Sequence, residues 1–133
     1  MFRRFSVSVS LLPIMLGITS VHAADEDLFT GRFGACMDQS GGVTVEMLVC
    51  IGEELTTQDA RLNGAFKALR SQLVPTRKQE LLAAQRLWIQ YRDANCSFYA
   101  DPQGGTYATV AANECVLVET AKRAKELEDL SNR

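Results

Sequence analysis

The segment that decides the fold reads Gln85-Arg86-Leu87-Trp88-Ile89-Gln90-Tyr91-Arg92-Asp93-Ala94-Asn95-Cys96, breaks at Asp101-Pro102-Gln103-Gly104-Gly105-Thr106, and resumes toward Cys115. One helical pattern carrying a cysteine is thus followed, across a proline and glycine loop, by a second helical pattern carrying another. Working back from it, Leu81, Ala84, Trp88, Tyr91 and Phe98 fall on one stripe at three- and four-residue spacing. Thr76-x-x-Gln79 reads as a capping box opening this helix just after Pro75, and the helix is expected to reach about Ala100.

Further upstream, Ser40-Gly41-Gly42 is a turn, after which Thr44 is positioned to cap a helix running to about Leu73, with Gly52 a candidate break. Its stripe is Leu55, Leu62, Phe66, Leu69 and Leu73. Downstream, a helix from Thr106 to about Leu130 carries a thinner stripe of Val110, Leu117, Ala121, Ala124 and Leu127, whose small residues permit close approach. The expected fold is all-α, a three-helix antiparallel bundle with its cysteines clustered at one end as two disulfides. These stripes are narrow enough to be buried within one chain, which leaves the oligomeric state open.

The first twenty-three residues read as an export signal. Met1-Phe2-Arg3-Arg4 is basic, Val7 to Ile18 is apolar, and Val21-His22-Ala23 offers a small-residue cleavage site. The Arg3-Arg4 pair is also compatible with a twin-arginine route. Cleavage after Ala23 leaves residues 24–133, 110 residues in all, enough for a single domain with a modest core. No cysteine follows the cut, so no lipid anchor is expected. The expected location is the periplasm, with secretion beyond the cell as the alternative.

Charge and composition narrow the chemistry. The whole chain carries a formal charge of −2, and loss of two leader arginines takes it to −4. Such a chain is a poor nucleic-acid partner. Its one histidine, His22, lies in the leader, so histidine-dependent nucleophilic sites and histidine-containing zinc sites are excluded from the remainder. Neither a cofactor nor a metal is implied. Cys36, Cys50, Cys96 and Cys115 lack the paired Cys-x-x-Cys spacing usual for a four-thiolate zinc site, and in a small exported chain they read as disulfides. Three connectivities are possible on paper.

With Asp59-x-x-Leu62-Asn63-x-x-Phe66 added, the motif from Gln85 to Cys115 resembles the LprI-like family of small exported helical domains, named after a lysozyme inhibitor, over residues 36–130. The resemblance implies pairing of Cys36 with Cys50 and of Cys96 with Cys115, and each of these pairings closes a short local loop. It also implies a protein partner, a lysozyme or a related peptidoglycan hydrolase.

Counting outward from the Pro75 turn puts Asp59, sixteen residues before it, level with Tyr91 and Arg92, and an Asp59–Arg92 ion pair is expected to fix helix register. Asn63 comes level with Leu87, near Gln85, Arg86 and Trp88. A catalytic role is the alternative reading of Asp59, and a ligand platform that of Trp88, which the stripe otherwise places in the core. The same counting gathers Cys50, Cys96 and the glycine loop at one end. Asp101, Gln103, Gly104, Gly105, Thr106 and Tyr107 form the candidate partner-binding loop, unless the glycines merely reverse the chain.

Three functions compete. The first is a binding protein that inhibits a lysozyme or similar hydrolase. The second is an envelope accessory protein docking through the mixed-charge run Lys122, Arg123, Lys125, Glu126, Glu128 and Asp129, a pattern that a solvated helix face explains equally. The third, an enzyme, would need paired carboxylates, and adjacent Glu53 and Glu54 point different ways on a helix. The expected function is protein binding without catalysis.

Overall fold

The computed structural model describes residues 28–133; the expected leader and its cleavage site lie outside them. Four α-helices follow one another: α1 (Gly31–Gln39), α2 (Thr44–Gln72), α3 (Pro75–Phe98) and α4 (Gly105–Ser131). No strand occurs among the described residues. The described residues are all-α as expected, but they form four helices rather than three. The additional α1 has only nine residues, with glycine at its first position and again at Gly34, too little to be stable alone. Tertiary contacts hold it instead: Phe33 and Met37 pack against the cluster of Ile51, Val110 and Leu117, and Cys36 is bonded to Cys50.

The helix ends show what local sequence controls. α2 starts at Thr44, but Val43 occupies the cap position without a side-chain bond, and the helix passes Gly52 unbroken. Proline excludes the preceding residue from helical geometry, and Val74 is extended, at φ −71° and ψ 160°. Pro75 then opens α3, where a missing N–H costs nothing. The Thr76–Gln79 capping box therefore does not form, because the helix begins one residue before the position at which threonine would cap it.

The core lies between α2 and α4, which pack along their length. Ile51 shares one cluster with Val110 and Leu117; further along, Leu62, Ala65 and Leu69 share a second with Ala124 and Leu127. Both helices advance in the same direction through these clusters, so they are parallel, and α3 is the antiparallel return between them. Val110, Leu117, Ala121, Ala124 and Leu127 are all buried, as their spacing indicates. The alanines leave only methyl groups between the two backbones, so dispersion contacts are dense where the helices cross.

α3 is covered much less. Leu81 and Trp88 are half-buried against the second cluster, and only Cys96 is fully buried. Ala84, Tyr91 and Phe98, expected in the core, are exposed, with Tyr91 56% and Phe98 85% accessible. Gln85 and Arg92 share the inward face with Leu81 and Trp88, so the surface turned to the core is partly polar and the apolar remainder looks outward.

Both disulfides have the expected pairing, with Cα–Cα distances of 5.7 Å for Cys36–Cys50 and 5.4 Å for Cys96–Cys115. Each fastens an outer helix to the central pair, α1 to α2 and α3 to α4. Their loops span 14 and 19 residues, for which the chain-entropy treatment gives about 3 kcal/mol each. A larger side chain in the α2–α4 seam should disrupt it: Ala124→Leu is expected to destabilise by about 1–3 kcal/mol through overpacking. Denaturant unfolding monitored by circular dichroism measures this, and unchanged stability would contradict the close seam.

Candidate functional site

At the end of α3 the chain turns through a short, strongly specified loop. The Asp101 side chain accepts a hydrogen bond from the Gln103 amide at 2.8 Å, and the Asp101 carbonyl accepts one from the Gly104 amide at 2.9 Å. Both glycines have local reasons to be there. A Cβ on Gly104 would lie 2.7 Å from that of Ala108, and Gly105 adopts φ +62°, a left-handed conformation that disfavours side chains. The turn thus reverses the chain and starts α4, and it does so while leaving Asp101, Gln103, Thr106 and Tyr107 exposed.

Aromatic groups crowd this end. Tyr107 is 75% exposed in the first turn of α4, and the exposed Phe98 and Tyr99 meet edge to face at 6.3 Å. Beside the Cys96–Cys115 bond, a depression of about 270 Å³ opens between Asp93, Ser97, Ala100, Ala112, Asn113 and Val116. The disulfide ties the end of α3 to α4 at Cys115, and buried Ala108 and Val110 seat the first turns of α4, so these side chains project from a braced support rather than a free tether.

The polar residues of the motif are joined differently from the expectation. Arg92 does not pair with Asp59: it binds Asp93 on its own helix at 2.8 Å and donates to the buried Thr120 hydroxyl of α4 at 3.2 Å. The Asp59 side chain makes neither a hydrogen bond nor an ion pair among the described residues, and Asn63 is exposed. Gln85 instead accepts from Arg123 of α4 at 3.0 Å. Trp88 lies beneath two guanidinium groups, Arg92 at 5.1 Å and Arg123 at 5.9 Å from its ring centre. Counting from the turn gives height along a helix but not azimuth; the Gln85, Trp88 and Arg92 face is turned toward α4, away from Asp59. These residues form a stitched helix interface, with cation–π attraction added to packing.

A second polar cluster had no place in the sequence reading. Glu54 and Gln58 are buried on α2, and Glu54 accepts hydrogen bonds from the Thr30 amide at 2.9 Å, the Thr30 hydroxyl at 2.6 Å and the Gln58 amide at 2.7 Å. Gln58 and Arg61 donate to the Leu28 carbonyl, and Arg61 also forms a two-pronged bond with Glu128 of α4. The cluster therefore ties the segment before α1 to the central helices. Its signal was the Glu54, Gln58, Arg61 spacing, which interrupts the face carrying Ile51, Leu62 and Ala65. Burial pushes the Glu54 carboxyl up, but hydrogen bonds from Thr30 and Gln58 and the charge of Arg32 outweigh it and leave the pKa below its ordinary 4.5. The Arg61 hydrogen bond likewise holds Glu128 low, against its partial burial.

Comparison with known proteins adds a family. The sequence profile described as "Lysozyme inhibitor LprI" matches residues 36–127. An uncharacterized protein of Rhizobium meliloti (strain 1021) is 26% identical over 100 residues, covering 65% of this chain and 72% of its own length. No solved structure matches.

Two outcomes follow for the polar clusters. Asp59→Ala should leave stability within about 0.5 kcal/mol of the unmodified chain, whereas Arg92→Ala, which strands the buried Thr120 hydroxyl, should cost about 1–3 kcal/mol; equal effects in denaturant unfolding would contradict the assignment. Because the folded pKa values of Glu54 and Glu128 lie below the unfolded one, their stabilisation is complete above pH 4.5 and is lost as pH falls through the folded values. Glu54→Gln should lower the melting temperature at neutral pH and flatten this acid decline, as thermal melts across pH would show.

Proposed function

The chain belongs to the lysozyme inhibitor LprI family, and from that membership we propose that it is an exported protein-binding domain that inhibits a lysozyme or a related peptidoglycan hydrolase through the loop end of α3 and α4. The observation that carries the reading is the family match across residues 36–127; the exposed loop on a disulfide-braced support is what locates the surface. Two disulfides fit an oxidising, extracytoplasmic compartment, where such hydrolases act.

The chemistry of the loop suits a polar cleft. Glycoside hydrolases work with a pair of carboxyl groups flanking the scissile bond. The Gln103 side-chain amide and the Thr106 and Tyr107 hydroxyls supply hydrogen-bond donors for such groups, while Asp101 is engaged with the Gln103 backbone N–H in shaping the turn. Tyr99 and Tyr107 offer amphipathic surface of the kind that dominates binding hot spots. The acidic balance of the chain favours encounter with a basic enzyme.

Other surfaces support this choice. On α4, Lys122 meets Glu119, Arg123 meets Glu126 and Lys125 meets Asp129, while Glu128 binds Arg61 of α2, so the mixed-charge run already has its partners within the described residues. It reads as a solvated face rather than a docking strip. Glu54, the one buried carboxylate among the described residues, is held toward its ionised form, the reverse of the raised pKa that an acid catalyst needs.

The test is titration of the oxidised protein into goose-, chicken- and invertebrate-type lysozymes, with cell-wall lysis and direct binding followed together. Saturable inhibition with one binding site per chain is expected for at least one class. Tyr107→Ala should weaken it about tenfold or more, a loss of about 1.4 kcal/mol, without changing the melting temperature. Absence of binding to every class would overturn the reading.

A further inference from the structure

Apart from the loop, the least covered apolar surface is the outward face of α3. Ala83, Leu87, Tyr91, Ala94 and Phe98 succeed one another at spacings of four, four, three and four residues, the rhythm of a continuous helical stripe. All five are exposed, with Leu87 66% accessible beside the still more open Phe98. Given that a large aromatic side chain presents about 150–250 Å², Leu87, Tyr91 and Phe98 together offer on the order of 400 Å². That is about half of the roughly 800 Å² that each partner contributes to a standard interface. The alanines and the flanking side chains of Arg86, Gln90 and Asp93 extend the area further.

The order of residues in the stripe indicates what covers it. Ala83 and Phe98 are equally far from a point between Gln90 and Tyr91, and so are Leu87 and Ala94. A second α3 laid antiparallel across that point sets Phe98 of each copy against Ala83 of the other, and Leu87 against Ala94. Phe98 and Leu87 then each meet an alanine, while Tyr91 lies beside the axis against Gln90 of the other copy, and large against small at the outer positions lets the two helices approach closely. The flanking charges are centred one residue away, between Ile89 and Gln90, which leaves Arg86 of one copy two residues along the helix from Asp93 of the other, a displacement that the long arginine side chain spans. Arg86 and Asp93 are seven residues apart, hence on one flank of the helix. In an antiparallel pair that flank faces its own counterpart, which brings Arg86 of each copy within reach of Asp93 of the other.

We propose that the protein self-associates through this α3 stripe as an antiparallel, two-fold symmetric dimer centred between Gln90 and Tyr91. An isologous interface requires one patch complementary to itself, and both the size pattern and the charge pattern meet that requirement. The dimer leaves Tyr99 to Tyr107 of each copy at opposite ends, so it is compatible with the loop-mediated binding proposed above and independent of it.

Sedimentation equilibrium of the purified, oxidised protein over a wide concentration range tests the proposal. A reversible monomer–dimer equilibrium is expected. Leu87→Glu should abolish the dimer while far-ultraviolet circular dichroism and both disulfides stay unchanged, since the side chain is exposed in the monomer. Under mild oxidation Gln90→Cys should give a covalent dimer, whereas Gln79→Cys, whose symmetry position lies beyond the end of the helix, should not. A chain monomeric at every concentration, a dimer indifferent to Leu87→Glu, or crosslinking at position 79 as ready as at position 90 would each overturn it.

Discussion

The close, parallel packing of α2 against α4 is the constraint on which the rest depends. Ala65, Ala121 and Ala124 keep the seam narrow, and Leu62, Leu69, Leu117 and Leu127 fill its sides. Two parallel neighbours in one chain require a long return, and α3 is that return. Its length is set by the height it must span, which explains how a 24-residue helix exists with a single fully buried residue. Isolated helices of this kind are marginal in water, so α3 depends on its anchors at Trp88 and Cys96 and on the turn at Pro75.

A core confined largely to one helix pair is small, and the fold compensates with covalent and polar ties. Cys36–Cys50 and Cys96–Cys115 attach the outer helices at the cluster formed by Ile51, Val110 and Leu117. Arg61 and Glu128 join α2 to α4 with a two-pronged bond, Gln85 and Arg123 join α3 to α4, and Glu54 with Gln58 holds the segment at Leu28 and Thr30. Such groups contribute little net stability in the open but a great deal of specificity when their partners are buried and satisfied. They determine which faces meet, a choice that a seam lined by leucine and alanine leaves open.

What the sequence revealed follows the same division. The α4 stripe was fully legible because a helix covered on its inward face repeats its apolar residues at helical spacing. The α2 stripe was legible at Leu62 and Leu69 but concealed its polar members, since Glu54 and Gln58 look like ordinary surface residues until their partners 24 to 30 positions away are known. On α3 the periodicity misled: Trp88 packs inward, while Tyr91 and Phe98, on a neighbouring stripe, do not. α1 left no readable trace, because its contacts rather than its propensity make it helical. The glycine loop was legible in position, and Gly104 and Gly105 have steric and conformational reasons that reading alone could not separate from a role in binding.

The resulting picture is of a rigid α2–α4 base, with α3 a thinner cover clamped at its C-terminal end, where disulfide and loop present the candidate binding face. Native-state hydrogen exchange on the dilute oxidised protein tests this hierarchy most directly. Amides around Leu62 to Leu69 and Leu117 to Leu127 should exchange only through global unfolding, and those of α3 between Glu80 and Tyr91 through a lower-energy opening. Uniform protection of α3 at the global level, or earlier exchange in the α2–α4 seam, would contradict the account.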